Sequence, residues 1–144
     1  MGVVKTTYFS TSGCKLMSIK LLLYIAVGGA LGSVGRYLLT ALVSKYLNTS
    51  YPYGTMIINV SGSFALGCLI SALLLKWSPS PEARAFLQVG VLGAFTTFST
   101  FSMDAYYQIS RGDYLDAAVY VGVSVVVGVI ALIIGVAFIR QIFA

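Results

Sequence analysis

The sequence predicts an all-α membrane protein that crosses the bilayer four times. Of its 144 residues, 58% are hydrophobic and only 9% are charged. A soluble domain normally carries about a quarter charged residues, so the charged side chains here are too few to cover a water-facing surface. Once the loops are subtracted, the apolar stretches leave room for four helices of about 20 residues, the length that crosses the hydrocarbon core of a bilayer.

Each of four apolar stretches predicts one span, and together they predict a single domain, residues 19–144. The predicted spans are residues 21–43, 54–75, 85–107 and 117–139. Residues 1–18 are more polar and are predicted to be a mobile extension, within which Met17 is an alternative start. Cleavage as a signal peptide is not expected, because the apolar run that follows is full length and has no clear cleavage site.

A narrow polar stripe runs along the second predicted span. Its members are small or polar and recur every four residues, so they share one helix face: Thr55, Asn59, Ser63, Gly67 and Ser71. An amide in mid-span is costly unless it is hydrogen-bonded. Asn59 is therefore either a clamp between helices, which the amide alone favours, or a donor of N–H groups to an anion.

The third apolar stretch is interrupted by residues 93–102, which include no Leu, Ile or Val and carry hydroxyl groups at five of ten positions. Such a segment is tolerated at membrane depth only when protein buries it or when it lines a wet cavity. We therefore predict a break in the helix within residues 93–97, which would free carbonyl oxygens that could hold a cation. Phe95, Phe98 and Phe101 either pack in the protein interior or turn their electropositive ring edges towards an anion.

The composition argues against several other classes of protein. The chain has no His, so general acid–base catalysis has few candidates, and the only acids are Glu82, Asp104, Asp113 and Asp116. Asp104 is expected near a membrane interface. The nine basic residues are scattered, which does not favour nucleic-acid binding. Cys14 lies in the polar tail and Cys68 in an apolar span, so both are predicted to be unpaired.

Counted from residue 17 onward, the basic residues give almost no preferred orientation, whereas the whole chain has a modest one. From residue 17 onward, four lie on the side of the termini (Lys20, Lys76, Arg84 and Arg140) and three on the other (Arg36, Lys45 and Arg111), whereas including Lys5 and Lys15 makes the count six against three. Either this count is uninformative, or the chain inserts both ways and pairs as an antiparallel dimer.

Two further features have both a packing and a functional interpretation. Arg36 either snorkels to the interface, which is slightly favoured, or draws anions into a vestibule. Five glycines in the spans are expected to serve close helix packing: Gly28, Gly32, Gly62, Gly67 and Gly128.

Three motifs occur in order along the chain: Gly-Gly-Ala-Leu-Gly-Ser-Val-Gly-Arg at 28–36, Gly-Thr-Met-Ile-Ile-Asn-Val-Ser-Gly at 54–62 and Gly-Ala-Phe-Thr-Thr-Phe-Ser-Thr-Phe-Ser at 93–102. From about residue 19 to the C-terminus the chain resembles the Fluc/CrcB family of fluoride channels, and the third motif is the most specific. The resemblance implies a multi-pass protein of the bacterial plasma (inner) membrane. It further implies a dual-topology, antiparallel homodimer in which two pores export cytoplasmic fluoride passively.

The resemblance also implies roles for individual residues. The fluoride pore would include Asn59, Phe98, Ser99, Thr100, Phe101, Tyr120 and Ser124, and Arg36 would lie in the vestibule. The backbone carbonyls of Gly93 and Thr96, from both copies, would hold a structural Na+ at the dimer centre. The implied partners are fluoride, membrane lipid and a second copy of the chain, with no nucleic acid.

Two other functions remain as alternatives. A small multidrug-type exporter is also a four-span dual-topology dimer, but it needs a carboxylate deep in a span, and none is predicted here. A structural or assembly subunit would use the polar stripe and the break for packing alone. An enzyme is the least supported class.

Overall fold

The computed structural model describes residues 18–47, 50–75 and 77–143, and all regular structure within these ranges is helical. The elements are α1 (Ile19–Leu47), α2 (Tyr53–Leu75), α3 (Pro81–Ala85), a π-helical segment (Phe86–Leu92), α4 (Gly93–Phe95), α5 (Phe98–Ser110) and α6 (Tyr114–Phe143). The stretch Pro81–Ser110, from α3 to α5, is long enough for one crossing of the bilayer, and we call it the third span.

Within the described residues, four helical stretches are long and apolar enough to cross a membrane, which confirms the predicted all-α, four-span class. The first and fourth helices extend beyond the predicted 21–43 and 117–139 at both ends. Of the predicted extension, 1–18, only Ser18 belongs to the described residues; Cys14 and Lys76 also lie outside them. Cys68 is a free cysteine, as predicted.

The helices pack as two pairs. In one pair, α2 lies against α6, and in the other, α1 lies against the π-helical segment and α4. Beyond the break, α5 turns away from α1 and packs on α6 and α2. The third span therefore packs in one pair before the break and in the other pair after it.

Glycine permits both close crossings. A Cβ atom on Gly28 would lie 2.5 Å from the carbonyl oxygen of Phe86 and 3.1 Å from the Cα atom of Gly90. In the other pair, a Cβ atom on Gly67 would collide with the carbonyl of Leu132, and one on Gly135 with the carbonyl of Phe64. Backbone-to-backbone contact of this kind is how membrane helices associate without a hydrophobic driving force between them.

The predicted packing role fits Gly32 and Gly62 as well, because a Cβ atom on either would collide with the third span, at the carbonyl of Val91 and the side chain of Thr96 respectively. Gly128 is different. A Cβ atom there would approach only the Ser63 hydroxyl oxygen, at 3.8 Å, so this position is open.

The distribution of polarity is that of a membrane protein. Large apolar side chains such as Leu31 and Val125 point outwards, whereas the buried positions include five polar residues: Thr55, Ser71, Thr97, Gln108 and Ser124. Lipid solvates the outer side chains, and the helix bundle keeps polar groups inside.

Candidate ion site at the break of the third span

The third span breaks at Thr96 and Thr97, inside the predicted segment 93–97. Both residues have extended backbone, with φ −78° and ψ 156° at Thr96 and φ −149° and ψ 115° at Thr97. The helix resumes at Phe98, and Thr97 is its N-cap: the Thr97 hydroxyl oxygen accepts a hydrogen bond from the backbone N–H of Thr100 at 3.2 Å. A cap of this kind satisfies one of the free N–H groups at the start of a helix.

Asn59 of α2 holds the broken backbone with two hydrogen bonds. The Asn59 Nδ2 group donates to the carbonyl oxygen of Thr97 at 3.0 Å, and the backbone N–H of Thr97 donates to Asn59 Oδ1 at 2.8 Å. The amide thus pairs with a backbone N–H and a backbone C=O as a neighbouring strand would. One N–H of the Asn59 amide remains for another acceptor, because the group carries two donors.

These bonds change the pairing of two carbonyl groups. In a continuous α-helix, the N–H of residue i bonds to the carbonyl of residue i−4. The N–H of Thr97 is instead directed to Asn59, and the N–H of Thr100 to the Thr97 hydroxyl. The carbonyls of Gly93 and Thr96 are therefore left without their regular helical donors. These are the two carbonyl groups that, according to the family resemblance, would bind a cation.

Thr97 is the centre of the hydroxyl cluster at the break. Its hydroxyl donates to Thr100 Oγ1 at 3.0 Å and lies 3.4 Å from Ser99 Oγ. Ser99 and Thr100 were predicted to belong to the fluoride pore, whereas no role was predicted for Thr97. The signal was present, because a Thr at the first position after a break is a preferred helix N-cap.

A groove of about 610 Å³ opens beside the break, between α2, the third span and α6. Six of the predicted site residues line it: Asn59, Gly93, Thr96, Phe98, Phe101 and Ser124. Its wall also includes Ser63, the next member of the polar stripe, and the open position Gly128. No charged side chain from the described part of the chain lines the groove.

The two phenylalanines of the groove differ in burial. Their ring centroids are 5.7 Å apart, and Phe98 is 80% exposed in the single chain, whereas Phe101 is partly covered and packs on Tyr120 at 5.2 Å. Ser124 is buried, and its hydroxyl has no hydrogen-bond partner among the described residues. The groove thus has an exposed aromatic ring at its edge, whereas the unpaired hydroxyl of Ser124 is enclosed within the bundle.

Four predicted site residues do not line the groove. Ser99 and Thr100 lie next to it, in the hydroxyl cluster. Tyr120 is fully buried behind Phe101. Arg36 lies in α1, which continues to Leu47, so its Cα atom is about 16 Å from the end of that helix at about 1.5 Å per residue.

Asp104 is hydrogen-bonded near one end of the bundle, close to the starts of α2 and α6. Its carboxylate accepts hydrogen bonds from the Thr55 hydroxyl at 2.6 Å and from the Tyr120 hydroxyl at 3.4 Å. The carboxylate therefore lies between α2, α5 and α6, and its expected place near a membrane interface stays a prediction. Tyr51, in the loop before α2, packs edge-on against Tyr120, and burial is the main cause that raises the pKa of the Tyr51 phenol.

Gln88 is a polar residue of the groove that the sequence analysis missed. It belongs to the π-helical segment, in which the N–H of Gly93 bonds to the carbonyl of Gln88, five residues earlier. This wider turn aligns Gln88 with Gly93, and both line the groove. The signal in the sequence was a single amide in an otherwise apolar stretch, and π-helical turns often occur at functional sites.

Comparison with known proteins places this geometry in a family. Residues 23–136 match the family model described as CrcB-like protein, Camphor Resistance (CrcB). The chain belongs to the CrcB family. The resemblance predicted from the three motifs is thereby confirmed, and the match includes all of them.

Curated members of the family are similar over nearly their whole length. A protein of Rhodospirillum centenum, named a fluoride-specific ion channel, is 48% identical over 122 residues, which are 85% of this chain and 97% of that relative. Proteins of the same name from Nitrobacter winogradskyi and Hahella chejuensis are 47% and 41% identical, over 84% and 88% of this chain and 96% and 99% of the relatives. With four apolar spans and bacterial relatives, the chain is a multi-pass protein of the bacterial inner membrane.

Proposed function

We propose that this protein is a fluoride-selective, passive anion channel that exports cytoplasmic fluoride. The observation that carries the proposal is the groove at the break, which collects hydrogen-bond donors and aromatic rings at membrane depth without a charged side chain. The relatives are named fluoride-specific ion channels, and we therefore treat the chain as a channel and not an enzyme.

The chemistry of the groove suits a small, strongly hydrated anion. The remaining N–H of Asn59 and the ring edges of Phe98 and Phe101 can each replace part of a hydration shell. Conduction requires binding that is strong enough for entry and weak enough for exit. Neutral donors meet both conditions, whereas a fixed positive charge in the groove would hold the anion too tightly.

A second copy of the chain would complete the pore. At the break, Gly93, Phe98 and Ser99 are exposed in the single chain, yet irregular backbone at membrane depth has to be buried in protein or line a cavity. We infer that an inverted copy covers this face, as the small charge bias allows. An antiparallel homodimer would contain two such grooves and hence two fluoride pores.

The freed carbonyls suit a structural Na+ at the dimer centre. Hard cations prefer oxygen ligands, and the carbonyls of Gly93 and Thr96 have lost their regular helical donors to Asn59 and to the Thr97 hydroxyl. One pair of carbonyls from each copy would form the ligand set. The bound ion would supply a fixed positive charge between the two copies.

The four predicted residues outside the groove have separate proposed roles. Ser99 and Thr100 would offer their hydroxyls to fluoride in the dimer, and Tyr120 would support the ring of Phe101 from behind. Arg36 would attract anions to the pore entrance through its unpaired charge, since no ion pair to it is found in the described part of the chain.

Fluoride efflux from liposomes that contain the purified protein tests the proposal. A fluoride electrode should record rapid release once an ionophore balances the charge, with no need for a proton gradient. Liposomes loaded with chloride should retain it. Equal passage of chloride, or no flux of either ion, would overturn the channel proposal.

The same assay separates the alternatives. An exporter of cationic drugs would need a titrating carboxylate and would respond to a proton gradient. Asp104, the acid within the bundle, is hydrogen-bonded to Thr55 and Tyr120. A structural subunit would give liposomes that are tight to fluoride.

A further inference from the structure

We propose that Asn59 controls the cation site of the break and is not only a donor to the permeating anion. This inference rests on the proposed function, because it concerns the Na+ that the carbonyls of Gly93 and Thr96 would hold. It assigns Asn59 the role of a positioning residue, which acts on the cation through the backbone of Thr97.

Asn59 forms hydrogen bonds with both backbone groups of Thr97. Its Oδ1 accepts the Thr97 N–H at 2.8 Å, and its Nδ2 donates to the Thr97 carbonyl at 3.0 Å. Thr97 is buried, and its backbone groups need partners at membrane depth. In the absence of the Asn59 amide, the nearest regular partner for the Thr97 N–H is the carbonyl of Gly93, four residues earlier.

Asn59 therefore decides whether the Gly93 carbonyl is available. While the Thr97 N–H is bonded to Asn59, the Gly93 oxygen keeps its lone pairs for a cation. When the amide is removed, the Thr97 N–H returns to Gly93, the helix extends by a residue, and one ligand of each copy is lost. The Thr96 carbonyl is freed by a different bond, from the Thr100 N–H to the Thr97 hydroxyl, so it is affected less.

The same amide lies beside the groove, where its second N–H is free for an anion. Asn59 thus connects the anion path to the cation site through a single side chain. Its substitution should impair fluoride flux and sodium binding together, whereas loss of another donor in the groove should impair flux alone.

The test compares Asn59→Leu, which has a similar volume and no hydrogen-bonding groups, with Ser63→Ala as the matched control. Ser63 lies one helical turn further along the same stripe and lines the same groove. Sodium binding to the purified, full-length dimer is measured by titration with 23Na nuclear magnetic resonance. Loss of a group that orients a ligand lowers metal affinity by about 10- to 100-fold, so Asn59→Leu should weaken sodium binding by that factor and Ser63→Ala should not.

A second measurement reports on the backbone directly and does not depend on how much of the variant is active. The carbonyl of Gly93, labelled with 13C, should shift when sodium is added to the unsubstituted protein, and in Asn59→Leu it should already be hydrogen-bonded and insensitive to sodium. Equal sodium affinity in Asn59→Leu and the unsubstituted protein would overturn the inference while leaving the channel proposal intact. Absence of sodium binding in the unsubstituted protein would overturn both the inference and the sodium part of the proposed function, but not the anion path, which the efflux assay tests separately.

Discussion

At the scale of single residues, the ring of Phe98 is a large apolar group that the single chain leaves mostly uncovered. It is 80% exposed in the single chain, and its ring centroid lies 5.7 Å from that of Phe101. A large aromatic side chain at the edge of a groove that contains hydrogen-bond donors can turn its positive edge towards an anion. Substitution of Phe98 therefore tests whether an aromatic ring edge contributes to fluoride flux.

We expect Phe98→Ile to slow fluoride efflux while the dimer persists. A pair of aromatic rings is worth about 0.5–1.5 kcal/mol, and a ring edge that stabilises the anion to a similar extent would change the rate by about two- to tenfold. The efflux assay measures the rate, and size-exclusion chromatography in detergent reports the dimer.

Phe64→Ile is the matched control for this substitution. Phe64 is also exposed, but its ring packs on Phe138, away from the break. Its substitution should leave the efflux rate unchanged. Equal rates for Phe98→Ile and the unsubstituted protein would mean that the ring edge has no part in conduction.

At the scale of the elements, the close packing of α2 against α6 depends on Gly135. A Cβ atom on Gly135 would collide with the carbonyl of Phe64 and lie 3.0 Å from the backbone nitrogen of Cys68. Both neighbours are backbone atoms, so they cannot move aside by a rotamer change, and the helices must separate.

Gly135→Ala should therefore lower the stability of the bundle by about 1–3 kcal/mol, the usual cost of overpacking. Gly122→Ala in the same helix is the control, because no atom of the described residues lies within 4 Å of its added Cβ atom. The control should leave stability unchanged or raise it by up to about 1 kcal/mol through helix propensity. The midpoint of thermal aggregation in detergent compares the two, and equal midpoints would contradict the close crossing.

A separate prediction concerns Gln88, which lies in the π-helical segment. Its amide lines the groove because the wider turn aligns it with Gly93. Loss of one neutral hydrogen bond is worth about 0.5–1.5 kcal/mol, so Gln88→Leu should slow fluoride efflux by about two- to tenfold.

Gln108→Leu is the control, since Gln108 is an amide buried outside the groove. Its efflux rate should equal that of the unsubstituted protein. If Gln88→Leu conducts equally well, the amide only fills space in the groove.

Much of the fold was predictable from local sequence patterns, but contacts between elements were not. The break followed from the absence of branched aliphatic residues at 93–102, and the spans from their length and hydropathy. The π-helical segment was not predictable, because Phe-Leu-Gln-Val-Gly-Val-Leu has the pattern of an ordinary apolar helix. The two bonds of Asn59 depend on its alignment with Thr97, 38 residues away, which no periodicity reveals.

At the scale of the whole molecule, the single chain leaves residues beside the break uncovered. Gly93, Phe98 and Ser99, which flank the break, are exposed, and the groove is open on one side. The sequence could suggest a second, inverted copy only through its small charge bias and its family resemblance, because the contacts that would hold the copies together lie between chains. Orientation in the membrane is therefore the property of the assembly that can be tested most directly.

Dual insertion is tested by single cysteines at opposite ends of the third span, in protein whose Cys14 and Cys68 are replaced by Ala. Ser78 precedes the third span and Ser110 ends it, and both are exposed, so the two positions face opposite sides of the membrane. If the chain inserts both ways, a maleimide that cannot cross membranes should label part of the chains of Ser78→Cys and part of the chains of Ser110→Cys in intact cells, since the basic residues give at most a modest orientation bias.

Permeabilised cells provide the reference, because every chain is then open to the reagent. A protein with one fixed orientation would behave differently: one of the two variants would label completely in intact cells and the other not at all. That outcome would exclude an antiparallel dimer, and any second copy covering the break would have to be parallel. Two orientations in equal amounts would instead supply both halves of the assembly from one gene product, so that the break of each copy can meet its inverted counterpart in mid-membrane.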